Sequence, residues 1–434
     1  MKKMRRLVTF HTFVAKFDMP SASTLLLLPC VIILTISLLI RAPDFFAFDH
    51  RPLVRYLSLV VSLLLTYASL FKFRLHQTLF VLITIFALFK GYDEYGRVVP
   101  TLYCQTTGSV QRPCNILITG ANSGIGLAVA TMLSKQGHDI VLGCRSAKKC
   151  NNALTEVKRG TCQPGTLDLS SVKSVQEWVA AHQNSRKYDY VFANAGFTPD
   201  GNYSSIDLQM ESGLATMHVG HLALLHLLRS KDQLADDVTI VHVSSDAMRF
   251  GAFHRSLVDD ASGHGDLNTE VTIGCPPRGG AVAPFCVPPS VVNSGDMLTA
   301  SYMSWLNFGS YPRAKLANLL VAREIPSRWS LSRSTSVMPG MVYTPMATRS
   351  APDASKLFAP LQEGFMEVLL RSTRSSAIIV LMAAEGAEGN SGCYFNGQGQ
   401  CVPDVQLPVQ AVDRVVQEKL WEVSMGVVRE KFVR

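Results

Sequence analysis

The sequence predicts an α/β fold, a doubly wound parallel sheet with helices on both faces, preceded by an N-terminal helical membrane region. Three observations predict it. From Asn115 onward, short apolar runs alternate with stretches of helical spacing, the pattern of strands joined by crossover helices. A turn with three glycines separates the first run from the first helix. Within residues 1–100 lie three stretches without Asp, Glu, Lys or Arg, as membrane segments require.

Met19–Ile40 is 22 residues without a charge. As a helix it would reach ~33 Å, enough to cross a bilayer. Tyr56–Phe71 and Leu75–Phe89 are 16 and 15 residues long. They are short for full spans and would form a hairpin around Lys72, Phe73 and Arg74 or lie partly in the interface. A cleavable signal peptide competes for the first stretch, but its apolar run exceeds the usual ~7–15 residues and the Arg41–Asp44 segment is a poor cleavage site. Residues 1–17 are also basic and free of acid, as organelle leaders often are.

The chain has 434 residues, a net charge of +8, 47% apolar and 17% charged residues. That composition excludes a disordered or collagen-like chain. Residues 1–100 hold 12 Lys+Arg against 5 Asp+Glu, so nearly all the basic excess flanks the apolar runs. Such an excess speaks for membrane topology and against nucleic-acid binding. Lys2, Lys3, Arg5 and Arg6 favour a cytosolic N-terminus. Three spans would then put the C-terminal part on the far side, and two would return it to the cytosol. The expectation is an integral protein of the endoplasmic reticulum or another organelle, with the 101–434 domain on the cytosolic side. Ten cysteines are too dilute for a small disulfide scaffold, and none forms a CxxC pair, so no metal site is expected.

In residues 101–434, Ile116–Gly120 reads as a buried strand ending in glycine, and Leu127–Lys135 as the helix that follows. Asp139–Cys144, Tyr188–Ala193, Val238–Val243 and Thr335–Met338 are further strand candidates. The first turn runs Thr119, Gly120, Ala121, Asn122, Ser123, Gly124, Ile125, Gly126. Gly120 permits a tight turn, Gly124 lets backbone approach a pyrophosphate, and Gly126 lets the helix pack close to the strand. The helix start offers free N–H groups to phosphate, so the arrangement is a Rossmann-type dinucleotide site. A carboxylate ending the second strand would select NAD. Here that strand ends Gly143, Cys144, Arg145, Ser146. Arg145 can pair with a 2′-phosphate through its guanidinium fork, which favours NADP(H).

Tyr311 and Lys315 stand four apart, on one helix face. A nearby ammonium lowers a tyrosine pKa, which fits Tyr311 to general acid/base work on a carbonyl or alcohol oxygen. Ser245, just after the Val238–Val243 strand, can hydrogen-bond the same oxygen.

Taken in order, these motifs resemble the short-chain dehydrogenase/reductase family, and are similar to its membrane-anchored retinol dehydrogenases. The resemblance runs from about Asn115 to the C-terminus. It implies cofactor contacts at Thr119–Gly126, Arg145, Asp168, Leu169, Asn194, Ala195, Gly196, Tyr311, Lys315, Pro339, Gly340, Val342 and Thr344. It implies a catalytic set of Ser245, Tyr311 and Lys315, with Lys315 also binding the nicotinamide ribose. Leu420–Ser424 resembles the subgroup's tail. The implied activity is reversible hydride transfer between NADP(H) and a lipophilic carbonyl or alcohol, such as a retinoid, steroid or long-chain aldehyde. The implied partners are that substrate, membrane lipid and a second copy in a homodimer. Two alternatives stand beside it. One is an enzyme like the light-dependent protochlorophyllide reductases, which share the Tyr/Lys pair and use a cysteine near the substrate. The other is a non-catalytic dinucleotide-binding membrane protein.

Three departures matter. Met217 occupies the place where the family often has a relay asparagine, with His218 and His221 as candidate substitutes. Met338 stands where the subgroup usually has histidine. Ser245 and Tyr311 are separated by 66 residues, because residues 250–308 form a Gly-, Pro- and Ser-rich insertion. An insertion between two catalytic residues must leave from near the substrate mouth, as a surface loop or as a lid.

Overall fold

The structure, a computed structural model, describes residues 96–105, 111–161, 166–181, 186–197, 204–205, 208, 210–251, 253, 310–340, 342 and 370–433. The three charge-free stretches, nearly all of the 250–308 insertion and Thr344 lie outside them. Among the described residues no helix is long and apolar enough to cross a membrane.

Arg97–Arg434 forms one compact unit. Its centre is a sheet of seven parallel strands: β1 Asn115–Thr119, β2 Asp139–Gly143, β3 Gly160–Thr161, β4 Tyr188–Ala193, β5 Leu234–Val243, β6 Arg333–Val337 and β7 Tyr394–Phe395. The spatial order is β7-β6-β5-β4-β1-β2-β3, so the chain winds outward from β1 in both directions, as in a doubly wound fold. Every residue of β1 is buried. That burial explains why its sequence is a continuous apolar run rather than an alternating one. Ile116 and Ile118 face Tyr190 and Phe192 on one side and Ile140 and Leu142 on the other.

The helices are α1 Gly124–Lys135, α2 Ala147–Ala153, α3 Val172–Ala181, α4 Gly220–Ser230, α5 Ser310–Arg328, α6 Thr373–Glu385, α7 Val409–Val412 and α8 Arg414–Phe432. α1 packs with α6 on one face of the sheet, while α3, α4, α5 and α8 pack together on the other. A five-residue π-helical stretch, Ala215–Val219, leads into α4. The core under α1 and α6 is apolar throughout, from Ile116, Val129 and Leu133 to Ile379 and Phe395.

The expected strands are all present. The fifth begins earlier than the expected Val238, because Leu234 already pairs with Tyr188 across a register shift. Gly160–Thr161 and Tyr394–Phe395 were not expected. Each is two residues long, too short to set up a period that sequence reading can detect.

Candidate active site

In an open α/β sheet the ligand crevice lies at the carboxyl ends of the strands, where the order reverses. Here that point is between β1 and β4. Gly120 follows β1 in the left-handed region, at φ +66°, and its N–H donates to Gly143 O of β2 at 2.7 Å. A Cβ at Gly126 would stand 2.5 Å from both Asn194 Nδ2 and Gly120 O, and one at Gly120 would stand 2.9 Å from Ala195 Cα. The segment Asn194–Gly196 thus seats directly on the glycine turn. Asn194 Nδ2 donates to Thr119 O at 2.8 Å, and the backbone N–H groups of Asn194 and Ala195 donate to Thr119 Oγ1 at 3.0 and 2.9 Å.

α1 starts at Gly124 after Ser123, whose side chain makes no capping bond, and the first turn holds no acid. Asn122 and Ile125 flank that start. Uncapped N–H groups at a positive dipole end suit a phosphate, so these residues fit the dinucleotide that the sequence implies. Arg145 is exposed, two residues beyond β2 and at the same end of the sheet. Leu167 N–H donates to Cys144 O at 2.8 Å, which sets Asp168 and Leu169 beside the end of β2. The Asp168 carboxylate accepts from Ser170 N and Oγ at 3.0 and 2.7 Å. It therefore shapes its own turn.

The catalytic candidates come together on the other side of the crevice. Ser245 caps a 3₁₀ turn, Asp246–Phe250, accepting from Ala247 N at 3.2 Å, and hydrogen-bonds the Tyr311 hydroxyl. Tyr311 sits in the first turn of α5, followed by Pro312, where a missing N–H costs nothing. Lys315 Nζ is 5.5 Å from the Tyr311 ring centroid and donates to Val243 O at 2.8 Å. Gly251 lies against the backbone of Pro312, and Ser310 opens α5. Both described ends of the insertion therefore adjoin α5.

The electrostatics differ from the sequence expectation. Burial pushes the Tyr311 pKa up to about 12, with the Ser245 bond working the other way. Burial also pulls Lys315 down to about 8. The lysine does not lower the tyrosine here, because its ammonium is turned toward Val243 O and desolvation outweighs the distant charge. A tyrosine held protonated is suited to donating a proton.

Met217 is fully buried, and its sulfur flanks Gly196. Both candidate substitutes have buried partners. His218 Nε2 pairs with Ser424 Oγ of α8 at 2.7 Å. His221 pairs through Nδ1 with Met217 O at 3.0 Å and through Nε2 with Thr119 Oγ1 at 2.8 Å. With the Nδ1 proton donated to Met217 O, Nε2 accepts from the threonine hydroxyl, so His221 anchors the start of the glycine turn. The Asn318 amide, in the orientation that satisfies it, donates to Met217 O at 2.8 Å and Ala314 O at 3.2 Å.

Burial lowers His218 to about 3, His221 to about 4 and His242 to about 3, all from 6.5. The unfolded chain protonates these groups near pH 6.5 and the folded chain does not. Their stabilisation is complete above pH 6.5 and is lost as pH falls toward 4. The expected slope is roughly 1 kcal/mol per pH unit for each histidine. Denaturant melts at pH 7 and 5 should show it, and a pH-independent midpoint would contradict it.

Several working residues carried no signal in the sequence reading. Ser244 Oγ donates to Lys315 O at 2.7 Å and its N–H donates to Val337 O at 2.8 Å, so it pins α5 to the sheet; the doubled serine after β5 was the available hint. The buried Tyr394 hydroxyl donates to Asp246 Oδ1 at 3.1 Å, beside Ser245. Arg371 pairs through its backbone with Val342 and bonds Gly397 O, supporting the Pro339–Val342 loop. Gly340 N–H donates to Met338 Sδ at 3.0 Å, which gives Met338 a local role.

Comparison with known proteins agrees with this geometry. Residues 114–257 match the profile of the short chain dehydrogenase family. The chain is 28% identical over 328 residues to retinol dehydrogenase 14 of Mus musculus, covering 71% of this chain and 84% of that protein. It is 26% identical over 325 residues to the WW domain-containing oxidoreductase of Gallus gallus, covering 74% and 69%. With retinol dehydrogenase 13 of Homo sapiens it shares 25% over 323 residues, covering 72% and 84%.

Proposed function

The chain belongs to the short-chain dehydrogenase/reductase family, of the retinol dehydrogenase-like kind, and from that premise we propose a membrane-attached, NADP(H)-dependent reductase of lipophilic carbonyls. The observation that carries this reading is the meeting of Ser245, Tyr311 and Lys315 beside the glycine turn.

Thr119–Gly126, Asn194–Gly196 and Pro339–Val342 would hold the dinucleotide, and Lys315 would bind its ribose. When bound, the nicotinamide supplies or accepts the hydride. Ser245 holds the carbonyl oxygen, and Tyr311, kept protonated by burial, delivers its proton to that oxygen. Thr344 joins this proposed set from outside the described residues. The apolar runs before residue 100 would tether the domain to membrane, which makes a retinoid, steroid or long-chain aldehyde a fitting substrate. A homodimer is part of the same proposal.

Arg145 supports NADP(H) over NAD(H), since it is exposed at the end of β2 with no acid beside it. Arg145→Ala should weaken NADPH binding about 10- to 100-fold, the worth of a charge-assisted bond of ~1.5–3 kcal/mol. NADH binding should hardly change, and fluorescence titration of both cofactors reads the difference. An equal effect on both would remove Arg145 from the selectivity role.

The reading is tested by following NADPH consumption by the detergent-solubilised chain with retinal, long-chain aldehydes and ketosteroids, beside an NADH arm. Turnover with NADPH is expected. Tight NADPH binding without turnover would favour the non-catalytic alternative, which the apolar Met217 side chain supports. The protochlorophyllide alternative draws nothing from Cys144, which is buried with its thiol pushed up to about 12.

A further inference from the structure

We propose that Tyr394 is a positioning residue for the reaction: acting through Asp246, it fixes the place of the Ser245 hydroxyl. The inference rests on the reading above, in which Ser245 holds the carbonyl oxygen, and adds to it a residue from the far edge of the sheet.

Ser245 stands where β5 gives way to a single 3₁₀ turn, Asp246–Phe250. A turn so short is a weak mount for a group that must be held to a fraction of an ångström. Its own bonds are local: Ser245 Oγ accepts from Ala247 N at 3.2 Å, Met248 N–H donates to Ser245 O at 3.0 Å, and Gly251 N–H donates to Met248 O at 3.0 Å. Ties from the C-terminal part of the chain anchor the turn to the fold. The Tyr394 hydroxyl donates to Asp246 Oδ1 at 3.1 Å. Arg249 Nε donates to the same oxygen at 3.4 Å, and its Nη1 donates to Gln406 O at 2.8 Å.

Tyr394 is itself a fixed point. It pairs with Ser336 of β6, and Ser336 pairs in turn with His242 of β5. Ser336 N–H donates to Cys393 O and Met338 N–H to Phe395 O, both at 2.9 Å, while Val402 N–H donates to Tyr394 O at 2.8 Å. A disulfide between Cys393 and Cys401 closes the loop around this strand. The tyrosine thus reaches past one whole strand to meet the turn after β5.

Its hydroxyl is what distinguishes it. The next residue, Phe395, fills the apolar core under α1 and α6 with no polar atom. Side chains alternate along a strand, so Tyr394 stands on the opposite face, the one α5 covers. Burial and the Asp246 charge hold its phenol pKa well above the usual value, and the group remains a hydrogen-bond donor. It engages a carboxylate that is joined by one peptide unit to Ser245. The Ser245–Tyr311 pair therefore has a rigid support at β7.

The test is a double-mutant cycle on the detergent-solubilised chain, with NADPH and whichever of retinal, long-chain aldehydes and ketosteroids it reduces fastest. Tyr394→Phe and Asp246→Ala should each lower kcat roughly 10- to 100-fold, as small misplacements of a reacting group do, with NADPH affinity within a few-fold. The double variant should be no slower than the slower single one, because both changes remove the same tie. Asp246→Asn keeps an oxygen for the tyrosine hydroxyl and should recover most of the rate lost in Asp246→Ala. That arm also decides the matter if Tyr394→Phe does not fold. Thermal melts and a count of folded, NADPH-binding molecules accompany each rate. A lowered melting temperature with kcat per folded molecule unchanged would make Tyr394 merely structural and overturn the inference. So would multiplying losses in the double variant, or an Asp246→Asn chain as slow as Asp246→Ala. Loss of turnover in Tyr311→Phe but not in Tyr394→Phe would overturn this inference and leave the reading above standing; a chain that reduces none of the substrates would remove both.

Discussion

Tyr311→Phe is expected to cut turnover with NADPH by ~10²–10⁴-fold, the usual worth of a positioned general acid, while NADPH affinity stays within a few-fold. The two effects separate because the hydroxyl is the only group removed. It hydrogen-bonds Ser245 and takes no part in the web that joins Thr119, Asn194 and Ala195. The ring remains to pack beside Lys315 Nζ, so the α5 start should keep its shape. Steady-state rates and a cofactor titration on the same preparation decide it. Unchanged turnover would remove Tyr311 from the chemistry, and loss of cofactor binding in parallel would mean that the phenol is structural.

Gly126→Ala should fail for a different reason. Its new methyl would meet Asn194 Nδ2 and the Gly120 carbonyl, each 2.5 Å away. The Asn194 amide has no room to yield, because it is bonded to Thr119 O at 2.8 Å. Either α1 moves off the sheet or that bond breaks. Overpacking costs about 1–3 kcal/mol and the lost bond about 1 more. NADPH affinity should fall more than tenfold, since the same shift moves the helix start away from the phosphates. Gly426→Ala, in α8 with nothing within 4 Å of the added atom, is the control and should be neutral or stabilising by up to ~1 kcal/mol. Thermal melts with and without NADPH separate the two variants; equal behaviour would refute the close-packing account.

Most of what positions the site could be read from the sequence because it is local. Thr119–Gly126 occupies one turn, and Tyr311 and Lys315 share one helical turn. Ser245 follows a strand whose apolar run is unmistakable. What escaped depends on distant partners. Nothing near Tyr394 announces that its hydroxyl meets Asp246, a contact separated by 148 positions. His221 looked like a relay candidate, and only the fold turns it toward Thr119 instead. The direction of the Tyr311 pKa also followed from burial, which spacing alone does not contain.

The last helix has a practical consequence for shortening the chain. Trp421 meets Trp329 edge-to-face at 6.0 Å, Arg229 stacks over Trp329 at 5.0 Å, and Ser424 is the partner of buried His218. α8 is thus a wall of the interior. A stop codon between Arg414 and Trp421 would remove Trp421, bare the face of Trp329 that it covers, and leave His218 without its hydroxyl partner. Premature termination there should read as loss of protein abundance, not as loss of specific activity. Val433, by contrast, is 52% exposed, so a fusion appended beyond it has a free path outward.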